Sequence, residues 1–171
     1  MKLIFHDAPQ HTALLPLTFA RPLADWRMGI LTIAEKWQRR WPEAQIHFHT
    51  AAYLPEKFPL PPRGEAIYLP AGLCATDELV TEVAALKPGE ALKQGSRLLA
   101  YHAEAPADDP QAWLKRAREF SGACVGVEKP WDIFRYNGEE LQRDYDLLTR
   151  GRTSAALDPS NTVLGEHIFV E

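Results

Sequence analysis

Short apolar runs of strand length alternate with stretches of helical periodicity through residues 1–151, and this alternation most constrains the fold. Leu3, Ile4 and Phe5 form a first strand, followed by an irregular segment from His6 to about Asp25. Ile30, Ile33, Ala34, Trp37 and Trp41 then fall on one helical face, which Pro42 ends. Gln45 to Thr50 alternates as a half-buried strand, with Ile46 and Phe48 on one side. A loop carrying Pro55, Pro59, Pro61 and Pro62 leads to a strand over Ala66 to Leu69. Thr76 is placed to cap a helix from Asp77 to Leu86, with acidic residues in its first turn, and Pro88-Gly89 stops it. Residues 90–103 read as a hairpin around Gln94-Gly95. A helix is expected from Asp109-Pro110 through Phe120, then a buried strand over Cys124 to Val127. Pro130 opens the longest helix, with Phe134, Leu141, Tyr145 and Leu148 as its apolar stripe and Gly151 as its end.

Strand and helix in alternation predict a three-layer α/β/α domain of Rossmann-like type with a mainly parallel, mixed sheet, the hairpin supplying at least one antiparallel strand. Residues 1–151 form that domain. Residues 152–171 are polar and turn-rich, end on Ile168-Phe169-Val170-Glu171, and read as a linker into a truncated element.

A chain of 171 residues with 46% hydrophobic residues and five Trp can bury a sizeable core. Its net charge of −4 offers no basic excess for nucleic acid or an anionic membrane. Cys74 and Cys124 match no disulfide framework or zinc spacing, and read as reduced thiols. No signal-peptide core and no apolar run of membrane-spanning length is present, so a soluble, cytoplasmic protein is expected.

The segment Leu15-Pro16-Leu17-Thr18-Phe19-Ala20-Arg21-Pro22 follows the first strand, where α/β sheets bind ligands at strand carboxyl ends. Arg21 and Arg27 flank the entry to the next helix. Two guanidinium forks beside free backbone N–H groups make a phosphate site; alternatively they pair with Asp7 and Asp25 as structural ions.

Leu-x-Pro-Leu-Thr after a first strand resembles the signature loop of sugar nucleotidyltransferases, such as glucose-1-phosphate thymidylyltransferase and N-acetylglucosamine-1-phosphate uridylyltransferase. Leu15 to Trp37 as a whole resembles a divergent branch that joins a short transferase-like domain to a left-handed β-helix. Pro130-Trp131-Asp132-Ile133-Phe134 with Asn137 is similar to the run closing that domain, and Asn161 to Glu171 looks like the lead into the first β-helix coil. The resemblance implies a nucleoside triphosphate and a sugar 1-phosphate as substrates, Mg²⁺ as cofactor, and a homo-oligomer, a trimer through the β-helix. It also implies a place in cell-envelope polysaccharide biosynthesis. Carried onto this chain, it assigns nucleotide and phosphate binding to Leu15, Thr18, Arg21, Arg27 and Lys36, and sugar binding to Gly72 and Asn137. Catalysis goes to Arg21, Arg27 and Asp132, with Asp132 on the metal.

The sequence also departs from the family. The Gly-rich loop expected before Leu-x-Pro-Leu-Thr reads Asp7 to Ala13, without glycine. Pro-Lys reads Pro22-Leu23, so Arg21, Arg27 or Lys36 would stand in for the lysine. Gly72 is followed by Leu73 where the family has a metal-binding Asp, which leaves Asp132; the other reading of Asp132 is a first-turn residue favoured by the helix dipole. His47-x-His49 lacks a third ligand, and Arg39-Arg40, Lys115-Arg116 and Arg118 read as solvated faces. Three functions follow: a nucleotidyltransferase, a degenerate sugar-nucleotide-binding module serving a β-helix acyltransferase, or a structural domain. Convergence of Arg21, Arg27 and Asp132 on one cleft is the feature that would favour the first two, and their lying apart on the surface would weaken both.

Overall fold

The computed structural model describes residues 1–107 and 109–171. Strands β1 (Lys2–His6), β2 (Gln45–His49) and β3 (Ala66–Pro70) run parallel to one another, with β1 in the middle. β4 (Ala91–Gln94) and β5 (Arg97–Ala103) form the expected hairpin, turning at Gly95, whose φ of 58° only glycine adopts without strain. β5 lies antiparallel to β3, and β6 (Arg118–Glu119) runs parallel to β4 at the far edge. The order is β2-β1-β3-β5-β4-β6 in one mixed sheet, so the domain is α/β, with β5 reversed against the other five.

Side-chain alternation divides the core between the two faces. Leu3, Phe5, Ile67 and Leu69 point to the thick side. There they pack with Trp37 of α2 (Ile33–Arg40) and with Leu79 and Val83 of α3 (Asp77–Ala84). Thr32 and Glu35 close a reciprocal capping box at the start of α2, at 3.1 and 2.7 Å. Thr76 caps α3 through the Leu79 amide at 3.1 Å. Ile4, Ala66, Tyr68, Ala91 and Tyr101 point to the other side, where Trp113 of the short helix α4 (Pro110–Leu114) packs against them. That layer is thin.

Four expectations change. The segment after β1 is not irregular: α1 (Ala8–Ala13) and two 3-10 turns, Leu17–Ala20 and Leu23–Asp25, fill it. The helix expected through Phe120 stops at Leu114, because the outer edge of β4 takes residues 118–120 as its backbone partner. The Phe120 amide donates to the Lys93 carbonyl at 2.7 Å. Cys124 to Val127 joins no ladder strand of the sheet; it pairs with the turn after β3, through Cys74 N–H to Val125 (3.0 Å) and Val127 N–H to Gly72 (2.9 Å). In α5 (Pro130–Thr149) two of the four stripe residues face outward, Phe134 82% and Leu141 47% exposed, while Tyr145 and Leu148 are half-buried. Glu140 and Asp144 are buried instead, since their carboxylates meet Lys36 inside. Residues 152–171 form no helix or strand; Ala155 N–H donates to the Val170 carbonyl at 2.9 Å.

Candidate functional site

Each residue carried over from the resemblance has a definite position. Leu15 is 44% exposed. Thr18 is buried, and its hydroxyl donates to the His11 carbonyl at 2.6 Å, closing the turn rather than facing a ligand. Arg21 lies 3.7 Å from Asp25 and over the Trp26 ring at 5.8 Å. Burial pushes the Asp25 carboxyl above its ordinary range, against the pull of Arg21. Arg27 donates back to the Ile30 carbonyl of its own loop.

Lys36 needs a correction as a phosphate ligand. It is fully buried, with its ammonium 3.0 Å from Glu140 and 2.5 Å from Asp144, so both of its charge partners are internal. Asn137 accepts from the Gly29 amide at 2.8 Å, clamping the loop before α2 onto α5. At Gly72 a Cβ would overlap the Val127 carbonyl oxygen, so glycine there serves a close backbone approach. Asp132 sits in the first turn of α5, its Oδ2 accepting from the amides of Glu128 (3.0 Å) and Lys129 (2.8 Å). Arg21, Arg27 and Asp132 are thus each tied into a separate turn.

None of those three lines the cavity that opens at the carboxyl edge of the sheet. This cavity, about 350 Å³, is bounded by His6 and Pro70 at the ends of β1 and β3, and by Gln10 of α1. Arg97 and Tyr101 of β5 and the Glu128-Lys129 lip before α5 complete it. Reversal of β5 puts Arg97, its first residue, at the edge where the parallel strands end. Asp132 touches the site indirectly, by holding the amides of the lip.

The lining is largely apolar, with two cations, Arg97 and Lys129, one carboxylate, Glu128, and buried hydrogen-bonding groups that lack partners. Arg97 Nε lies 3.5 Å from Glu128, while its buried Nη2 has no partner among the described residues. The guanidinium rests on Gly126, where any Cβ would overlap it. Gln10 Nε2 donates to the Val127 carbonyl at 3.3 Å and leaves Oε1 buried without a partner. Unpaired buried polar groups cost stability, and both of these lie beneath the cavity lining. Burial, and then the neighbouring His49, hold the His6 imidazole below its ordinary range, so the cavity's fixed positive charges are Arg97 and Lys129. Burial pushes the Tyr101 phenol up, and its oxygen accepts from the Ala107 amide at 3.0 Å.

Sequence reasoning missed Arg97, Lys129 and Gln10. The hairpin signal at Gln94-Gly95 was the available clue, because an antiparallel return at the end of β4 must start its next strand at the carboxyl edge.

Where the family's glycine-rich loop would run, α1 stands. Asp7 before it is fully buried, its Oδ2 accepting from the Leu23 amide (3.1 Å) and the Thr50 hydroxyl (3.0 Å). A buried carboxylate replaces a cradle of amide donors at that point.

The cavity with Arg97 and Lys129 lies at the carboxyl edge of a mixed α/β sheet, the edge at which open α/β sheets bind ligands. A family model described as sugar nucleotidyl transferase matches residues 3–153, so the chain belongs to the sugar nucleotidyl transferase family. No curated protein matches the chain. Among the described residues no helix is long and apolar enough to cross a membrane.

Proposed function

We propose that the chain is a sugar-1-phosphate nucleotidyltransferase whose substrates meet in the carboxyl-edge cavity. The observation that carries this is that Arg97 and Lys129 line one carboxyl-edge cavity of a domain from this family. In the reaction an oxygen of the sugar 1-phosphate attacks the α-phosphorus of a nucleoside triphosphate. The bond from that phosphorus to the bridging oxygen breaks, and pyrophosphate leaves. The protein's part is positioning and charge neutralisation, so no nucleophilic side chain is required. Arg97 presents a planar fork to phosphate oxygens, and Lys129 a point charge beside it.

The residues present do not fit a protein-held Mg²⁺. Glu128 is drawn to Arg97, Asp132 Oδ2 already accepts two amides, and no three His, Cys, Asp or Glu side chains among the described residues could hold a metal. On this reading Mg²⁺ enters as the counter-ion of the triphosphate and belongs to the substrate.

A second reading is supported by the helix that stands in the place of the glycine-rich loop, with buried Asp7 at its head. On that reading the domain binds a sugar nucleotide without making one. Pyrophosphate release from UTP or dTTP with glucose 1-phosphate or N-acetylglucosamine 1-phosphate, with and without Mg²⁺, separates the two. Release above background that disappears in Arg97→Ala supports the transferase. Thermal stabilisation by UDP- or dTDP-sugar without any release supports the binding module. Neither release nor stabilisation would sink both.

A further inference from the structure

A cavity of about 310 Å³ opens where the ends of α2 and α5 meet the start of α3. It shares no residue with the carboxyl-edge cavity. Arg39 and Arg40 of the last turn of α2 line it, with Arg150 just past α5 and Asp77 at the head of α3. Val80 and Leu147 form an apolar wall. Thr81, the remaining polar residue of the lining, donates its hydroxyl to the Asp77 carbonyl at 2.9 Å.

Charge is out of balance there. Asp77 is the one carboxylate of the lining, and two guanidiniums share it: Arg40 Nε lies 2.9 Å from Oδ1, and Arg150 Nη1 lies 3.0 Å from Oδ2. The Arg150 hydrogen bond, with Arg40 beside it, holds the Asp77 carboxyl below its ordinary range, so it stays ionised. Arg39 makes no ion pair or hydrogen bond among the described residues. Glu171 acts on Arg39 electrostatically, but its carboxylate is hydrogen-bonded to Arg152 at 2.8 Å. Three arginines thus face one carboxylate, in a chain whose net charge is −4.

Helix ends answer only part of this excess. The ends of α2 and α5 each bring about half a negative charge, and the start of α3 about half a positive one, so about one and a half positive charges stay unmatched. Solvent does not absorb them freely, because the Arg40 side chain is only 8% exposed. Spacing makes Arg39-Arg40 look like a solvated face; the fold turns Arg40 inward onto Asp77 and brings Arg150 beside it.

Donors are free as well as charge. Arg40 Nη2, Arg150 Nε and Nη2, and the whole Arg39 fork have no partner among the described residues. Guanidinium forks set round one cavity match the tetrahedral oxygens of phosphate. A phosphate monoester carries about −1.5 to −2 at neutral pH, which is the charge the lining lacks. A single carboxylate brings less charge and fewer oxygens.

We propose that this cavity binds a phosphate dianion, free or as the monoester of a small molecule, held by Arg39, Arg150 and the open Nη2 of Arg40. A monoester lays its carbon body against Val80 and Leu147. The site stands apart from the reaction proposed at the carboxyl edge, and its occupant ties the ends of α2 and α5 to the start of α3.

Calorimetric titration of the full chain with inorganic phosphate and with glycerol 3-phosphate, in about 150 mM sodium chloride to screen loose surface attraction, tests it. At least one is expected to bind. Arg39→Ala and Arg150→Ala are each expected to weaken that binding by about ten- to a hundredfold, as loss of a charged hydrogen-bond donor does. Arg39 is exposed and unpaired, so Arg39→Ala keeps the test open even where Arg150→Ala loosens the end of α5. Asp77→Asn removes the competing carboxylate and is expected to tighten the anion severalfold. Arg97→Ala, in the other cavity, should leave the site intact. Tighter binding of glycerol 3-phosphate assigns the monoester; equal or tighter binding of inorganic phosphate assigns the free ion. Binding that Arg97→Ala abolishes, or that Arg39→Ala and Arg150→Ala both leave at the parent's affinity, overturns the site, as does a parent chain that binds neither probe.

Discussion

Lys36 shows how one side chain can carry the join between two elements. Its ammonium meets Glu140 and Asp144 with no exposure to solvent, and Asp144 Oδ2 also accepts from the amides of Ile30 (2.9 Å) and Leu31 (3.0 Å). Arg143 completes the cluster by donating to Glu140 Oε1 at 2.6 Å. Burying three charges is costly, and the cluster holds because every member is paired; removing the cation strands two carboxylates. Lys36→Met is therefore expected to lower unfolding stability by about 3–5 kcal/mol. Urea denaturation measures this, and Lys36→Met combined with Glu140→Gln and Asp144→Asn should recover most of the loss. If Lys36 instead bound phosphate, Lys36→Met would leave stability near the parent's and reduce ligand affinity. Sequence position gave no hint of this partnership, because the carboxylates lie 104 and 108 residues away, and the resemblance makes Lys36 a phosphate ligand instead.

At the scale of elements, the strands were more legible than the connections. Short apolar runs placed β1 and β3, and alternation placed β2, each to within a residue at each end, and Gln94-Gly95 located the hairpin, because these signals act over a few neighbours. The α5 face departs from its apolar pattern for the reason that Lys36 explains: a buried ion cluster outweighed the stripe. The site was less legible still, since Arg97, Lys129 and Gln10 come from three elements that meet only once the chain has folded. Asp132 sits between these cases. As the acceptor for the Glu128 and Lys129 amides it fixes both the start of α5 and the lip of the cavity. Asp132→Ala is expected to cost about 1 kcal/mol of stability, as loss of a helix-start acceptor does. It should also weaken glucose 1-phosphate through the loosened lip, whereas Asp132→Asn, which keeps a carbonyl acceptor, should restore most of both. The contrary outcome, Asp132→Asn as harmful to binding as Asp132→Ala, would mean that the charge itself is needed at the site.

For the whole molecule, the unequal covering of the sheet links ligand binding to stability. The thick side holds most of the apolar core, while the thin side carries the smaller cluster of Ile4, Ala66, Tyr68, Ala91 and Tyr101 and the stacked His6–His49 pair. Its burial is enough to hold down the pKa of two histidines. His6 is lowered by desolvation and then by His49, with Asp7 acting against, and His47 by desolvation and then by Lys2. Both start from an ordinary value of 6.5. In the unfolded chain these imidazoles take up protons as the pH falls through that value, while the folded chain resists until lower pH. The unfolded state therefore binds more protons in that window, and stability falls as the pH drops below 6.5. The loss levels off once the folded imidazoles protonate too. Urea midpoints taken between about pH 7.5 and 5 should decline towards acid, and the double variant His6→Gln, His47→Gln should flatten the decline. A midpoint that holds steady across this range in the parent chain would mean that both imidazoles are freely hydrated, and the thin side of the sheet far more open than the packing of Tyr68, Tyr101 and Trp113 implies.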